Sequence, residues 1–173
     1  MRILLVRHAE AVPRGTPGIP DDARPLTPSG ERSFWEAARG LAYLVPRPDA
    51  LLTSPLPRAR RTAEICAEAW GKIEPRHVRA LAERSIPAQL GVLRPFPVHA
   101  AVALVGHEPH LSHLLATLIR SPEADRLTFR KGGAALLDIA GSVGEGGSLL
   151  WFLPPEILGR LAGEGADRDP CAS

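Results

Sequence analysis

Apolar positions along the chain follow two rhythms. Ile3-Leu4-Leu5-Val6, Ala50-Leu51-Leu52 and His99 to Val105 are continuous or nearly continuous apolar runs, the pattern of strands covered on both faces. Between them, apolar residues return every three or four positions: Phe34, Ala37, Ala38, Leu41, Leu44, Val45; then Ala59, Thr62, Ala63, Cys66, Ala67, Trp70; then Leu111, Leu114, Leu115, Leu118. That period predicts three amphipathic helices. Thr27-Pro28 supplies a cap and first residue for the first helix, Pro46 and Pro48 close it, Gly71 stops the second, and Pro109 precedes the third. A weaker strand is predicted over Ile73 to Val78. Phe129, Ala134 to Ile139 and Leu149 to Leu153 supply the last strands, the final two as antiparallel neighbours. Strands alternating with helices predict an α/β fold: one domain over residues 1–162, a sheet of mainly parallel strands with helices on both faces. A tail rich in Gly, Asp and Pro follows over 163–173.

Residues 12–30 break both rhythms. Pro13, Gly15, Pro17, Gly18, Pro20, Pro25 and Pro28 make this a long loop, and loops of such length in compact domains are commonly functional. Composition narrows the function by exclusion. With 173 residues the chain can bury one core unaided, and its formal charge of +2 gives no electrostatic reason to expect a nucleic-acid partner. Cys66 and Cys171 are the only cysteines, too few for a disulfide framework or a cysteine metal cluster, and Cys66 falls on the helical apolar stripe. No apolar run is long enough for a membrane span or a signal peptide, so the expected location is the cytoplasm.

Ligands of open α/β sheets bind at the carboxyl ends of the strands. The first predicted strand ends in Arg7-His8, the second leads through Ser54-Pro55 to Arg58, and the strand after residue 99 ends in Gly106-His107. Each strand end thus brings a guanidinium or an imidazole to one edge, two of them at helix N-termini with free N–H groups. An anion fits such a site, and a phosphoryl group fits best: guanidiniums match its oxygens as planar forks, and two imidazoles permit one to attack phosphorus while the other donates.

Four segments together resemble the histidine phosphatase superfamily: Leu4-Leu5-Val6-Arg7-His8-Ala9-Glu10, Thr53-Ser54-Pro55-Leu56-Pro57-Arg58-Ala59, Arg61-Thr62-Ala63, and Val105-Gly106-His107-Glu108-Pro109. The short chain and Arg130-Lys131-Gly132-Gly133-Ala134 are most similar to its small bacterial SixA-like group of phosphohistidine phosphatases. The resemblance implies a phosphoglycerate mutase-like fold. It implies His8 as the nucleophile that becomes a covalent phosphohistidine, with Arg7, Arg58 and His107 around the transferred group. His8 must then be unprotonated on its attacking nitrogen, its other nitrogen donating to a backbone carbonyl, and the guanidiniums should lower its pKa.

Glu83, in Leu81-Ala82-Glu83-Arg84, resembles the proton donor of larger relatives, with Glu10 and Glu108 as rival acids beside the site. Lys131 approaches the phosphate mouth or is a surface charge. Arg60 and Arg61 are expected on the surface, guiding an anionic partner. His107, His110 and His113 do not converge as a metal set on a helix, so no metal and no cofactor is expected. Only 18 residues separate Glu83 from Val102, broken by Pro87, Gly91, Pro95 and Pro97, which leaves room for a short helix and a low roof. An open pocket favours a phosphohistidine side chain on another protein. A small phosphorylated metabolite, an ester or anhydride, is the alternative substrate, and a non-catalytic phosphate-binding module the alternative of another kind. Oligomeric state and the order of the 12–26 loop stay open.

Overall fold

The computed structural model describes residues 1–166. Five helices and six strands follow in the order β1 (Arg2–Arg7), α1 (Pro28–Leu44), β2 (Ala50–Thr53), α2 (Pro57–Ala69), β3 (Pro75–His77), α3 (Ile86–Leu93), β4 (Ala101–Gly106), α4 (His110–Leu118), β5 (Ala134–Asp138), β6 (Ser148–Leu153) and α5 (Pro155–Ala166). The strands form one sheet in the order β3-β2-β4-β1-β5-β6. β1, β4, β2 and β3 run parallel; β5 is antiparallel to β1, and β6 to β5. The fold is the α/β sheet expected, with the last two strands paired antiparallel as their patterns indicate.

The central strands read as unbroken apolar runs because each face is buried against helices. Leu4 and Val6 of β1 join the core under α1, α2 and α5, while Ile3 and Leu5 join the core under α3 and α4. The register Val6↔Val105 and Arg7↔Gly106 brings the ends of β1 and β4 level, so His8 and His107 leave the sheet side by side. Thr27 caps α1 by accepting the Gly30 N–H at 2.9 Å, with Pro28 at its first position.

Three elements depart from the sequence reading. Phe129, expected in a strand, lies in an irregular segment, its ring wholly buried and stacked at a tilt on Phe152 with centroids 4.6 Å apart. Apolar burial drew it inside without any strand pairing. α5 occupies residues to which the sequence reading assigns no element; Pro155 opens the helix, and Leu158 and Ala162, one turn apart, are buried. Residues 163–166, expected as tail, continue α5, and the rest of the tail from 167 lies outside the described residues.

α5 packs so closely on α1 that a Cβ at Gly40 would sit 1.8 Å from the Leu158 carbonyl oxygen. Gly40→Ala is therefore expected to cost about 3 kcal/mol of stability through overpacking, although alanine is intrinsically the better helix former by about 1 kcal/mol. Urea denaturation checks this, and a stabilised variant would mean that α1 and α5 do not approach as described.

Candidate active site

Four of the residues singled out in the sequence meet at the carboxyl edge of β1, β4 and β2. His8 follows β1, His107 follows β4, and Arg58 stands on the second residue of α2. The rings of His8 and His107 are 5.1 Å apart between centroids. Both histidines and Arg58 are buried, and Arg7 is partly so.

Backbone contacts fix each group. The His8 N–H donates to the Gly106 carbonyl at 3.0 Å, tying the two strand exits together. His8 Nδ1–H donates to the Ala9 carbonyl at 2.7 Å, which leaves Nε2 as the unprotonated nitrogen. Ala9 is itself held: its N–H donates to Thr62 Oγ1 at 3.0 Å, and that hydroxyl donates to the Arg58 carbonyl at 2.7 Å. Thr62 thus locks the turn carrying His8 to the helix carrying Arg58. Ser54 Oγ accepts the Leu56 N–H and lies 2.8 Å from His107 Nε2. With the Ser54 proton donated to Nε2, the imidazole hydrogen of His107 sits on Nδ1.

Among the described residues, the buried side-chain nitrogens without a hydrogen-bond partner are Arg7 Nε, Arg58 Nε, His107 Nδ1 and, on the first residue of α4, His110 Nδ1. Three of the four belong to the residues grouped around His8. Buried N–H groups are ordinarily satisfied, and an orphaned cluster of them marks a place for an acceptor. The donor set is that of an oxyanion site.

Both imidazoles are held neutral. His8 is pushed down to about 3, chiefly by burial, with the nearby charges of Arg58, Arg7 and Arg24 adding to it and the bond to Ala9 opposing. The guanidiniums act as expected, but desolvation is the larger cause. His107 is pushed down to about 2 by burial and then by His8, Arg58, His110 and Arg24. The sign of the stability effect follows. Below the ordinary histidine pKa near 6.5 the unfolded chain takes up protons that the folded chain refuses, so stability falls as pH drops from about 6.5 toward 3. The urea midpoint is expected to be lower at pH 5 than at pH 7, and the difference should shrink in His8→Asn/His107→Asn. An unchanged difference in that variant would assign the acid sensitivity to other groups.

The loop after residue 11 contributes what the sequence did not single out. It is closed at its base by an Ala11–Leu26 bridge and carries a short 3-10 turn, Asp21–Ala23. Arg58 donates to the Asp21 carbonyl at 2.7 Å. The Asp21 carboxylate accepts from Arg14 at 2.8 Å and Arg24 at 3.0 Å, and the hydrogen bond with Arg14 is the first cause holding it near pKa 2. Arg24 is buried, donates also to the Val12 carbonyl at 2.7 Å, and lies close enough to lower both histidines. Nothing periodic marks Asp21 or Arg24; the only signal is a compact set of charges in a Pro- and Gly-rich loop.

The carboxylate candidates separate clearly. Glu108 accepts from the Phe129 N–H at 2.7 Å and the Ser112 hydroxyl at 2.6 Å, and Phe129 in turn accepts from the Arg7 guanidinium. It braces the segment that positions Arg7. Glu10 pairs with Lys131 at 3.6 Å, so Lys131 is bound to the rim. Glu83 is exposed, and its side chain makes no hydrogen bond or ion pair among the described residues; only its backbone is used, the N–H donating to the Ala80 carbonyl and the carbonyl accepting from Gln89. Arg61 is corrected: Glu31, Glu64 and Glu68 lie within 3.1, 3.3 and 3.7 Å, which neutralises it as a guide for anions, while Arg60 is exposed as expected. Among the described residues no three His, Cys, Asp or Glu side chains are grouped to hold a metal ion, and no helix is long and apolar enough to cross a membrane.

Comparison with known proteins shows what the chain is similar to in sequence and fold. A model of the histidine phosphatase superfamily, branch 1, matches residues 3–94. An uncharacterised protein of Picosynechococcus sp. is 35% identical over 136 residues, 77% of this chain and 82% of its own. The structure of a candidate phosphohistidine phosphatase SixA from Agrobacterium tumefaciens is 26% identical, with a TM-score of 0.75 over 89% of this chain and 97% of that one. A candidate alpha-ribazole-5'-P phosphatase from Escherichia coli shares the fold at 19% identity, TM-score 0.73, over 90% and 97% of the two chains.

Proposed function

The chain belongs to the histidine phosphatase superfamily, and from that premise we propose that it is a metal-independent phosphatase acting through a covalent phosphohistidine on His8, with phosphohistidine of another protein as substrate. The observation that carries this reading is the neutral Nε2 of His8, its ring 5.1 Å from that of His107, together with the unpartnered buried nitrogens Arg7 Nε, Arg58 Nε and His107 Nδ1. The Nε2 lone pair attacks phosphorus and a new N–P bond forms. The P–N bond of the substrate breaks, its electron pair leaving with the substrate imidazole, which takes a proton from solvent. Water then attacks the phosphorus of phospho-His8, the pair returns to Nε2, and orthophosphate departs. Arg7 and Arg58 neutralise charge on the equatorial oxygens in both steps and neutral His107 donates a hydrogen bond to them, which is most of what phosphoryl transfer requires.

The substrate class is supported by the carboxylates. Glu108 is engaged in bracing, Glu10 is paired with Lys131, and Glu83 is solvated. A site of this kind suits a leaving group that departs once protonated by solvent, as imidazole does, better than an alkoxide that needs an enzyme acid. The low roof points the same way: between Glu83 and β4 stands only α3, eight residues long. The family neighbour named for phosphohistidine agrees with this, and the one named for a small phosphate ester keeps the alternative open to test.

The test is a substrate panel with EDTA present: a protein chemically phosphorylated on histidine, an aryl phosphate and an alkyl phosphate. Phosphohistidine should be preferred over the alkyl ester by at least about 100-fold in kcat/KM, with little effect of Glu83→Gln. A preference for the alkyl ester that Glu83→Gln removes would establish the small-ester phosphatase instead. Phosphate affinity without turnover of any member would establish a binding module.

A further inference from the structure

Arg7 and Arg58 are held in the same way. Each guanidinium commits Nη1 to a backbone carbonyl, that of Phe129 for Arg7 and that of Asp21, at 2.7 Å, for Arg58. Each also keeps a buried Nε without a hydrogen-bond partner. With Nη1 clamped, the edge formed by Nε and Nη2 is what remains to meet an anion as two parallel N–H donors. A carbonyl clamp is only as well placed as the backbone that carries it. Glu108 holds the Phe129 clamp through the Phe129 N–H. The Asp21 clamp lies in a loop rich in proline and glycine, on a three-residue turn with no buried residue. Apolar packing therefore does not hold that turn.

What holds it is the Asp21 carboxylate. Oδ1 accepts from Arg14 Nε at 2.8 Å and from Arg24 Nε at 3.0 Å, and Oδ2 accepts from Arg14 Nη2 at 3.3 Å. Arg24 is the firmer partner: its side chain is 10% exposed, against 78% for Arg14. Its Nη1 donates to the Val12 carbonyl at 2.7 Å, next to the Ala11–Leu26 bridge that closes the loop. A chain of contacts thus runs from the base of the loop through Arg24 and the Asp21 carboxylate to the Asp21 carbonyl, and ends on Arg58. The carboxylate also offsets a repulsion, because Arg24 and Arg58 are both buried and Arg24 disfavours the charged form of Arg58. Oδ2 stands 3.9 Å from Arg58 Nη2, too far for a hydrogen bond and near enough to attract its charge. An ion pair between exposed side chains contributes little; here both guanidiniums on the inner side of Asp21 are buried.

We propose that Asp21 is a positioning residue for phosphoryl transfer: with its carboxylate on Arg24 and its carbonyl on Arg58, it fixes the guanidinium edge that meets the phosphoryl group. The proposal rests on phosphoryl transfer at His8 and is independent of which leaving group departs. It gives Asp21 no contact with the reacting atoms, so the whole effect of the residue passes through Arg58.

A double-mutant cycle isolates that route. Asp21→Ala is compared with wild type, and Asp21→Ala/Arg58→Ala with Arg58→Ala, by kcat/KM on an activated aryl phosphate and by vanadate affinity, with urea midpoints to check folding. Alone, Asp21→Ala should lower kcat/KM and vanadate affinity by about tenfold or more. In Arg58→Ala the same substitution should lower them by less than about twofold. Asp21→Asn, which keeps the shape of the side chain without its charge, should fall between wild type and Asp21→Ala. Equal losses on the two backgrounds would make Asp21 a general structural residue, and no loss in Asp21→Ala would show that Arg58 is placed without it; either result overturns the proposal. If wild type hydrolyses no phosphate, the phosphatase reading falls, and the vanadate affinities alone then decide whether Asp21 acts through Arg58.

Discussion

His8→Ala is expected to lower kcat on an activated aryl phosphate by on the order of 10⁴-fold or more, while the affinity for vanadate or orthophosphate changes by less than about tenfold. The two numbers differ because the side chain does two separable things. Its Nε2 is the atom to which phosphorus becomes bonded, and no neighbour can replace it: His107 turns Nε2 toward Ser54 and, with the Ser54 proton donated to that nitrogen, presents Nδ1–H, a donor. Anion binding, in contrast, rests on Arg7, Arg58 and His107, all of which survive the substitution. Acid-labile, base-stable phosphate bound to wild type after a rapid quench should be absent from the variant. Equal turnover by the two proteins would dismiss His8 as nucleophile. Loss of vanadate binding along with turnover would mean that His8 organises the pocket and that the present division of labour is wrong.

The fold was legible where burial imposes a period. β1, β2 and β4 stand out because both faces are covered, and α1, α2 and α4 because one face is. α5 is harder to read because glycines at 159 and 163 interrupt its apolar stripe, and its buried positions Leu158 and Ala162 face α1, where Leu158 approaches Gly40 closely. The strand-end residues Arg7, His8, Arg58 and His107 were legible for a topological reason: parallel strands in register deliver their exits to one edge. Loop residues obey no such rule. Asp21 and Arg24 reach the site because the strap folds back over Arg58, a path that depends on the Ala11–Leu26 closure and on charge pairing within the strap. The carboxylates were ranked least well by sequence for a related reason. Proximity to His107 in the chain made Glu108 a candidate acid, yet its two oxygens are taken up by Phe129 and Ser112, partners distant in sequence or a helical turn away.

Arg58→Ala should cost about 10²–10³-fold in kcat/KM, equivalent to roughly 2.7–4 kcal/mol of transition-state stabilisation. The guanidinium divides its donors between two tasks: one terminal nitrogen is committed to the Asp21 carbonyl at 2.7 Å, and the buried Nε has no protein partner. Lysine can perform either task but not both, since its ammonium is a single point without the planar fork. Arg58→Lys should therefore recover no more than about tenfold of the loss. The pH profile gives a second, independent reading. Burial precedes Arg58 among the causes that push His8 down to about 3, so removing the guanidinium should raise the acidic limb of kcat/KM while leaving it well below the ordinary value. In wild type that limb should lie far below pH 6, because the neutral, attacking form of His8 persists until protonation near its lowered pKa. An acidic limb near 6.5 in wild type would show that His8 is not desolvated as described, and full rescue by lysine would show that charge alone, without the fork, accounts for the role of Arg58.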